Sequence, residues 1–145
     1  MVEGYWSDIS RTIVFGQPTP RQREIWNLEK AAQAAAFAAA RLNAPMESVD
    51  AAARKVIVDA GFGPDYQVPG LPHRTGHGTG LDIHEPYYAV RGNTVPLAPG
   101  MCFSNEPMLV IYGEPGIRLE DCIAMSDEGP HYFTEPSLAI DCPFA

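Results

Sequence analysis

The sequence predicts an α+β fold, with two helices behind a curved antiparallel sheet. Two segments in the first half have helical periodicity, and later segments have the short β-branched and aromatic patterns of strands. The 13 glycines and 14 prolines punctuate the chain and predict many turns between short elements. We therefore expect a single domain over residues 1–145, without an internal repeat.

Composition limits the classes of partner. The 145 residues are 46% hydrophobic, enough to bury a core, and the net charge of −8 argues against a nucleic-acid partner and for metal or cationic ligands. The three cysteines lack CxxC spacing and predict free thiols in a reducing compartment. Glu3 and Asp8 follow Met1 too closely for a signal peptide, and Ala31–Ala40 is too short for a bilayer. We expect a cytoplasmic protein with no membrane partner.

The first half of the chain predicts one strand and two helices. Gly4–Phe15, rich in aromatic and β-branched residues, is a predicted strand with Asp8 in its middle. Thr19–Asn43 is a predicted helix, with an N-cap threonine, proline at the first position and a capping-box glutamine. Ser48–Ala60 is a second predicted helix, and Gly61 is its stop. The first helix has a small-residue apolar stripe suited to close packing on a sheet, formed by Ile25, Leu28, Ala32, Ala35 and Ala39.

The second half predicts a hairpin that carries two glutamates. Met101–Tyr112 is a strand pattern interrupted at Pro107, Ile117–Met125 is its partner, and Tyr132–Thr134 is a short third strand. A tight turn at GEPG would leave Glu106 and Glu120 about three residues out of register, roughly 10 Å along the strand. We expect Pro107 and a bulge to close that gap.

The densest chemistry lies in His73–Pro86, HRTGHGTGLDIHEP, which holds three of the four histidines. His73 and His77 have the spacing of a helical zinc motif, but three interspersed glycines argue against a helix. A phosphate-binding loop lacks its closing lysine. We expect a glycine-rich loop leading into a short strand at Leu81–His84. The plain alternative is a loop with surface histidines.

Carboxylates on the strands complete a candidate metal site. Asp8, Glu106 and Glu120 together with imidazoles form a mixed nitrogen and oxygen ligand set, which suits Mn, Fe, Co or Zn. More carboxylates than one ion requires indicate two ions about 3.5–4 Å apart, an arrangement used in metal-assisted hydrolysis. The structural alternatives are a solvent-facing Asp8 and a surface ion pair between Arg118 and Glu120.

Four segments resemble the signatures of the creatinase/aminopeptidase, or pita-bread, metallopeptidases. They are SDISRT (7–12), HRTGHGTGLDIHEP (73–86), SNEP (104–107) and GIRLED (116–121). HRTGH, LDIHEP and the closing FTEPSLAID are most similar to the Xaa-Pro dipeptidase and Xaa-Pro aminopeptidase branch. The resemblance implies an incomplete pita-bread fold and hydrolysis of Xaa-Pro bonds by a metal-activated water.

The same resemblance implies the metal ligands. Asp8 is similar to an aspartate that bridges two metals, and Glu120 to the second bridging carboxylate. His77 and Glu106 match the ligands of one ion. The implied cofactor is therefore one or two divalent ions, with manganese, cobalt, zinc and iron all compatible with the ligand types.

The remaining roles implied by the resemblance are catalytic. Glu106 takes the proton of the attacking water. His73 and His84 match two histidines that are not ligands, which contact substrate and stabilise the tetrahedral intermediate. Arg118 resembles an arginine that helps relay protons.

One departure from the family pattern concerns the first aspartate ligand, whose position falls before Met1. The first half of the fold is absent as well, so we expect only the C-terminal part of a truncated catalytic domain, one well-held ion and exposed sheet edge. The expected substrates are short proline-containing peptides, and the expected assembly is a homodimer. Two alternatives stay open: a non-catalytic remnant that binds a peptide or protein partner, and a hydrolase of a small non-peptide C–N bond.

Overall fold

A computed structural model describes residues 1–144 and shows two helices packed on each other and against antiparallel strands. The predicted α+β class is thus confirmed. The elements are α1 (Pro20–Ala39), α2 (Glu47–Asp59), β1 (Gly76–Gly78), β2 (Glu85–Ala89), β3 (Cys102–Asn105), β4 (Met108–Leu109), β5 (Ile117–Arg118), β6 (Asp121–Ser126) and β7 (Gly129–Tyr132). The main sheet has the order β2-β1-β3-β6-β7, and β4 pairs separately with β5.

The helix boundaries follow the capping chemistry of the sequence. Thr19 caps α1 with its side chain, and the Gln22 side chain returns the bond to the Thr19 N–H, completing the capping box. The helix ends at Ala39, four residues before the predicted end at Asn43, whose φ of 65° is left-handed. Gly61, at φ 89°, follows α2 as expected.

The inner face of α1 is more polar than predicted. Ile25, Ala32 and Ala36 are fully buried, but so are Glu29 and Gln33. Leu28, Ala35 and Ala39, which the predicted stripe includes, are only partly buried. The helix is turned so that Gln33 Nε2 can donate to Asp121 Oδ2, at 2.9 Å, beneath the sheet.

The predicted strand Gly4–Phe15 is an extended segment with two isolated bridges, one from Tyr5 to the nearby Val2 and one from Ser10 to the distant Glu120. That prediction was wrong because side chains replace the backbone ladder. The Thr12 hydroxyl accepts from the Arg118 N–H at 3.0 Å and donates to the Arg118 carbonyl at 2.8 Å. At its start, Val2 and Tyr5 exchange backbone hydrogen bonds around Glu3 and Gly4, both with positive φ, in the pattern of a two-residue hairpin loop.

The glycine segment was also predicted in the wrong place. Residues 81–84 are a loop, whereas the glycines form β1 and the following strand begins at Glu85. A Cβ at Gly76 would lie 2.0 Å from the Ser104 carbonyl oxygen, and one at Gly78 would lie 2.0 Å from that of Pro86. At these two positions the neighbouring strands come too close for a side chain, so glycine is needed within a strand here and does not mark a loop.

The register between Glu106 and Glu120 needs no bulge. Asn105 faces Asp121 and Met108 faces Arg118, so the residue numbers of each pair sum to 226 on both sides of Pro107. The same sum places Glu106 opposite Glu120. The predicted gap does not arise because the connection is the longer segment 110–116 instead of a tight turn.

The last strand, β7, starts three residues before the predicted Tyr132, and Ser126 pairs with Gly129 at its turn. One apolar core joins helices and sheet, with Trp26, Phe103 and Ile123 among its fully buried members. Within residues 1–144, no helix has the length and apolar character needed to cross a bilayer.

Candidate metal centre

Three of the four predicted ligands meet at one point. Asp8, His77 and Glu120 each offer one ligand atom, and these atoms lie within 4.8 Å of one another. Glu106, the fourth, places Oε1 3.3 Å from His77 Nε2. Asp8 belongs to the extended segment, His77 is the middle residue of β1, and the glutamates occupy the breaks between β3 and β4 and between β5 and β6. The solvent-facing alternative for Asp8 does not hold, because its side chain is only 28% exposed.

The ring of His77 is set in the tautomer that a metal ligand needs. Its Nδ1 lies 2.9 Å from the Gly78 carbonyl oxygen, which can only accept, so Nδ1 carries the proton. Nε2 keeps its lone pair and faces Asp8 Oδ2 at 3.6 Å. Burial lowers the pKa of His77, which favours the neutral ring. The second-nitrogen hydrogen bond is the usual device that orients a ligating histidine.

The electrostatics of the two glutamates favour a bound cation that would offset their negative charge. Burial and the negative charge of Glu120 raise the pKa of Glu106 to about 7. Burial also raises the pKa of Glu120. Carboxyl groups this close resist ionising together, and a bound divalent ion removes that penalty. The donor set therefore fits a divalent metal.

Two serines hold the glutamates, and the sequence analysis missed both. Ser10 Oγ donates to Glu120 Oε2 at 2.6 Å. Ser104 Oγ donates to Glu106 Oε1 at 3.3 Å and accepts from the His77 N–H at 3.0 Å. Each serine lies two residues from a predicted ligand, Asp8 or Glu106, so the alternation of side chains along an extended chain is the signal that could have found them.

A thiol holds the backbone of Asp8 in a similar way. Cys122 Sγ accepts from the Asp8 N–H at 3.4 Å, and its S–H donates to the Asp8 carbonyl at 3.2 Å. Burial raises the pKa of Cys122 to about 11, so the group stays a thiol. The cysteines of residues 1–144 are free, as predicted.

The predicted catalytic residues surround this cluster unequally. The His84 ring lies 4.2 Å from the His77 ring, between centroids, and is exposed. Arg118 contacts both glutamates, at 3.4 Å from Nη1 to Glu106 Oε2 and 3.9 Å from Nε to Glu120 Oε2. This places Arg118 beside the cluster, where its ion pairs join two of the predicted ligands, although the side chain is 43% exposed.

His73 contacts the backbone rather than the ligands. Its Nδ1 donates to the Arg74 carbonyl, and its Nε2 is buried without a hydrogen-bond partner in the described part of the chain. Burial lowers the pKa of His73, with Arg118 contributing. The neutral ring therefore offers an unused acceptor.

Helix α2 holds the segment that runs from His73 into β1. The Thr75 N–H and hydroxyl both donate to Asp50 Oδ1, at 3.1 and 2.8 Å. Arg54 pairs with Asp50 at 2.7 Å and donates to the His73 carbonyl. Both charged side chains are buried, so their mutual pairing is needed to offset desolvation.

An apolar cavity of about 370 Å³ flanks the Asp8 segment. Its walls include Trp6, Ile9 and Phe133 together with the thiols of Cys102 and Cys122. A space of this kind next to polar and titratable groups is typical of small-molecule sites.

Comparison with known proteins gives a consistent family. The profile of metallopeptidase family M24 matches residues 1–127. The chain is 44% identical over 140 residues to a Xaa-Pro dipeptidase of Lactobacillus delbrueckii subsp. lactis, covering 97% of this chain and 37% of the relative. It is 44% identical over 126 residues to a probable dipeptidase PepE of Mycobacterium bovis, covering 87% and 32%.

Solved structures agree with these sequence matches. A dipeptidase from Pyrococcus horikoshii OT3 superposes with a TM-score of 0.83 at 41% identity, over 91% of this chain and 36% of that one. The prolidase from Pyrococcus furiosus gives 0.83 at 36% identity, over 92% and 38%. The fold is thus the partial pita-bread arrangement that the motifs predicted, and the chain spans about a third of the length of these relatives.

Proposed function

The chain belongs to metallopeptidase family M24, and on that premise we propose that it carries most of the metal centre of an exopeptidase that cleaves the bond before a proline. The observation that carries the proposal is His77 Nε2, held as an acceptor among three carboxylates. A divalent ion held by Asp8, His77, Glu106 and Glu120 would supply Lewis-acid activation of water. The donor types suit Mn, Co, Zn or Fe, and we name manganese as the first to test.

The residues around the ion have separate tasks in this proposal. Glu106, with a pKa of about 7, accepts the proton of the attacking water near neutral pH. Arg118 keeps both glutamates oriented and helps pass that proton on. His84 and His73 contact the substrate, where the free Nε2 of His73 accepts a hydrogen bond and His84 stabilises the developing negative charge.

The relatives and the cavity both support a proposal for the substrate class. The Lactobacillus relative is named a Xaa-Pro dipeptidase, and we propose short proline-containing peptides as substrates here. The apolar cavity beside Asp8 offers space for a substrate side chain. We further propose a cytoplasmic location, which suits the free thiols, and a homodimer, which light scattering would test.

The experiment combines metal binding with turnover. Mn²⁺ binding is measured by calorimetry on the 145-residue chain, and hydrolysis of Ala-Pro and Ala-Ala is followed in added Mn²⁺. We expect near-stoichiometric binding and preferential Ala-Pro cleavage. His77→Gln should lose both, and His131→Gln, which changes the one histidine outside the His73–Pro86 segment, should lose neither.

Other outcomes discriminate between functions. Mn²⁺ binding without turnover would favour a non-catalytic module that binds peptides. Cleavage of a cyclic or guanidino C–N bond in place of Ala-Pro would favour a hydrolase of small non-peptide C–N bonds. Absence of Mn²⁺ binding would contradict the proposed metal centre itself.

A further inference from the structure

Directly behind the carboxylates lies a buried ion pair that the proposed mechanism does not use. Arg11 Nη2 lies 2.6 Å from Asp121 Oδ1, and the two side chains are 11% and 0% exposed. Asp121 follows the ligand Glu120 in sequence, and Arg11 lies three residues after the ligand Asp8. The pair therefore connects the two chain segments that supply these ligands.

The guanidinium of Arg11 holds backbone on both sides of the Ser10–Glu120 bridge. Its Nη1 donates to the Glu120 carbonyl at 2.7 Å and to the Ser10 carbonyl at 3.0 Å. Its Nη2 also donates to the Glu135 carbonyl at 3.2 Å. A planar fork of fixed donors is suited to fixing several acceptors at once, which a lysine ammonium cannot do in the same geometry.

Asp121 is fully engaged on its other sides. Its Oδ2 accepts from Gln33 Nε2 at 2.9 Å, and its Oδ1 accepts from Thr134 Oγ1 at 3.1 Å. Through Gln33 the pair is anchored to α1, the longest element of the fold. Arg11 is thus held from behind by a rigid helix.

This anchoring matters because few main-chain bonds hold the Asp8 segment in place. Besides the Trp6 N–H bond to the Gly80 carbonyl, at 2.7 Å, and the contacts of Asp8 with the Cys122 thiol, the described chain gives it one backbone bridge to a distant residue, between Ser10 and Glu120. Metal affinity depends on ligand positions to within about 0.5 Å, so a segment with so few main-chain bonds depends on side chains for additional support. Arg11 supplies that support at the Ser10–Glu120 bridge, where Glu120 is itself a proposed ligand and Ser10 lies two residues after Asp8.

We propose that Arg11 and Asp121 form a positioning pair that sets the distance between the carboxylates of Asp8 and Glu120, and thereby the affinity for the divalent ion. This inference rests on the proposed metal centre. The two residues are positioning residues, since they contact neither the ligand atoms nor a substrate.

The test compares Mn²⁺ affinity by calorimetry in the 145-residue chain carrying Arg11→Lys, Asp121→Asn or both, at a temperature where each variant is folded. Loss of a partner behind a metal ligand typically weakens metal affinity by about 10- to 100-fold, and we expect a loss in that range for either single variant. The double variant should be no weaker than the worse single one, because both changes break one interaction.

A matched control and a milder variant separate positioning from general stability. Arg23 and Asp141 form an ion pair on the surface, with 41% and 51% exposed side chains, so Arg23→Lys should leave the Mn²⁺ dissociation constant unchanged. Thr134→Val removes one contact of Asp121 but keeps the ion pair, and should cause a smaller loss in the same direction.

A metal-free readout completes the experiment. The Ser10 and Glu120 N–H groups are bonded to each other's carbonyls, so their hydrogen exchange should accelerate in Arg11→Lys relative to exchange in the core of α1. Variants that lose stability but keep the wild-type Mn²⁺ affinity would overturn the inference while leaving the metal centre intact. A wild-type chain that binds no Mn²⁺ would overturn the proposed function and this inference together.

Discussion

A single hydrogen bond, from His77 Nδ1 to the Gly78 carbonyl, determines which nitrogen of the cluster is available. The neutral ring needs no proton removed before it binds an ion, because burial already lowers the pKa of His77. Glu106 is different, since its pKa is raised to about 7 and it is partly protonated at neutral pH. Protons would therefore compete with a metal ion mainly for the carboxylate oxygens, and little for His77 Nε2.

The first residue-scale prediction is the pH dependence of metal binding. Binding requires ionised Glu106, so Mn²⁺ affinity should fall as the pH drops below about 7, and be about tenfold weaker at pH 6 than at pH 8. Calorimetry in buffers of different ionisation enthalpy should show proton release at pH 6. Glu106→Gln should bind more weakly with a flatter profile; a wild-type affinity constant across this range would contradict the assignment.

The second residue-scale prediction concerns Glu29, a fully buried residue of α1. Neither of its carboxyl oxygens has a hydrogen bond of good geometry among residues 1–144, although the backbone N–H of Leu119 is near enough to oppose part of the rise in its pKa. Burial raises its pKa well above the ordinary 4.5, so the folded state resists its ionisation and loses stability as the pH rises above that value.

Glu29→Met should therefore stabilise the protein, by about 1–3 kcal/mol near pH 8 and by less near pH 5. Urea unfolding at the two pH values measures the difference. Glu24→Met, on the exposed side of the same helix, is the control and should change stability little at either pH. A gain that does not grow between pH 5 and pH 8 would mean that Glu29 ionises in the folded state with nearly its ordinary pKa, and would contradict the raised pKa.

Residue identities were the most predictable part of the centre. Asp8, His77, Glu106 and Glu120 are recognisable by type and by motif, and the structure brings them together. The serines that hold the glutamates were harder to predict: the two-residue spacing places Ser10 on the same face as Asp8, but its partner Glu120 is 110 residues away in sequence. The buried Glu29 could not be foreseen either, since a helix pattern alone does not fix which face turns inward.

At the scale of elements, β1 is the strand on which the site depends. It is three residues long, GHG, and lies between β2 and β3 in the sheet. Glycines on both sides of His77 allow the neighbouring backbones to approach, so the imidazole sits within the sheet instead of on a loop.

The element-scale prediction is a comparison of two glycines. A Cβ at Gly78 would lie 2.0 Å from the Pro86 carbonyl oxygen, whereas a Cβ at Gly116 meets nothing closer than 3.7 Å. Gly78→Ala should destabilise the fold by about 3 kcal/mol or more through backbone displacement, and Gly116→Ala by far less. Thermal unfolding of both variants checks this, and equal effects would contradict the close packing of β1.

Elements were predicted unevenly from sequence. The helices were predictable because their caps are local, as the Thr19 and Gln22 pair shows. Strand positions depended on distant partners: Gly76 and Gly78 look like loop residues until Ser104 and Pro86 are placed beside them. The extended segment 4–15 has strand composition, yet its pairing is carried largely by the side chains of Arg11 and Thr12.

For the whole molecule, the proposed metal centre brings together segments far apart in sequence. Asp8 and Glu120 are separated by more than a hundred residues, and His77 comes from between them. A ligand that binds only the folded state stabilises it by mass action. An ion bound at these three residues would therefore stabilise the entire tertiary structure.

The corresponding prediction is a metal-dependent melting temperature. Mn²⁺ at about 100 times its dissociation constant should add about 2.7 kcal/mol, which corresponds to roughly 5–10 °C for a chain of this size. Differential scanning calorimetry measures the shift. His77→Gln should abolish it and His131→Gln should retain it; an equal shift in both would indicate that the ion binds elsewhere.

The constant register across Pro107 also bears on how this sequence can change during evolution. Glu106 and Glu120 are aligned by the β3–β6 and β4–β5 pairings, and the connection over residues 110–116 lies beyond both. Residues can be inserted into or deleted from that connection without moving one glutamate relative to the other. Length variation at this loop should therefore be tolerated by the chemistry, whereas a single insertion between Cys102 and Glu106 would turn the carboxylate to the opposite face of the sheet.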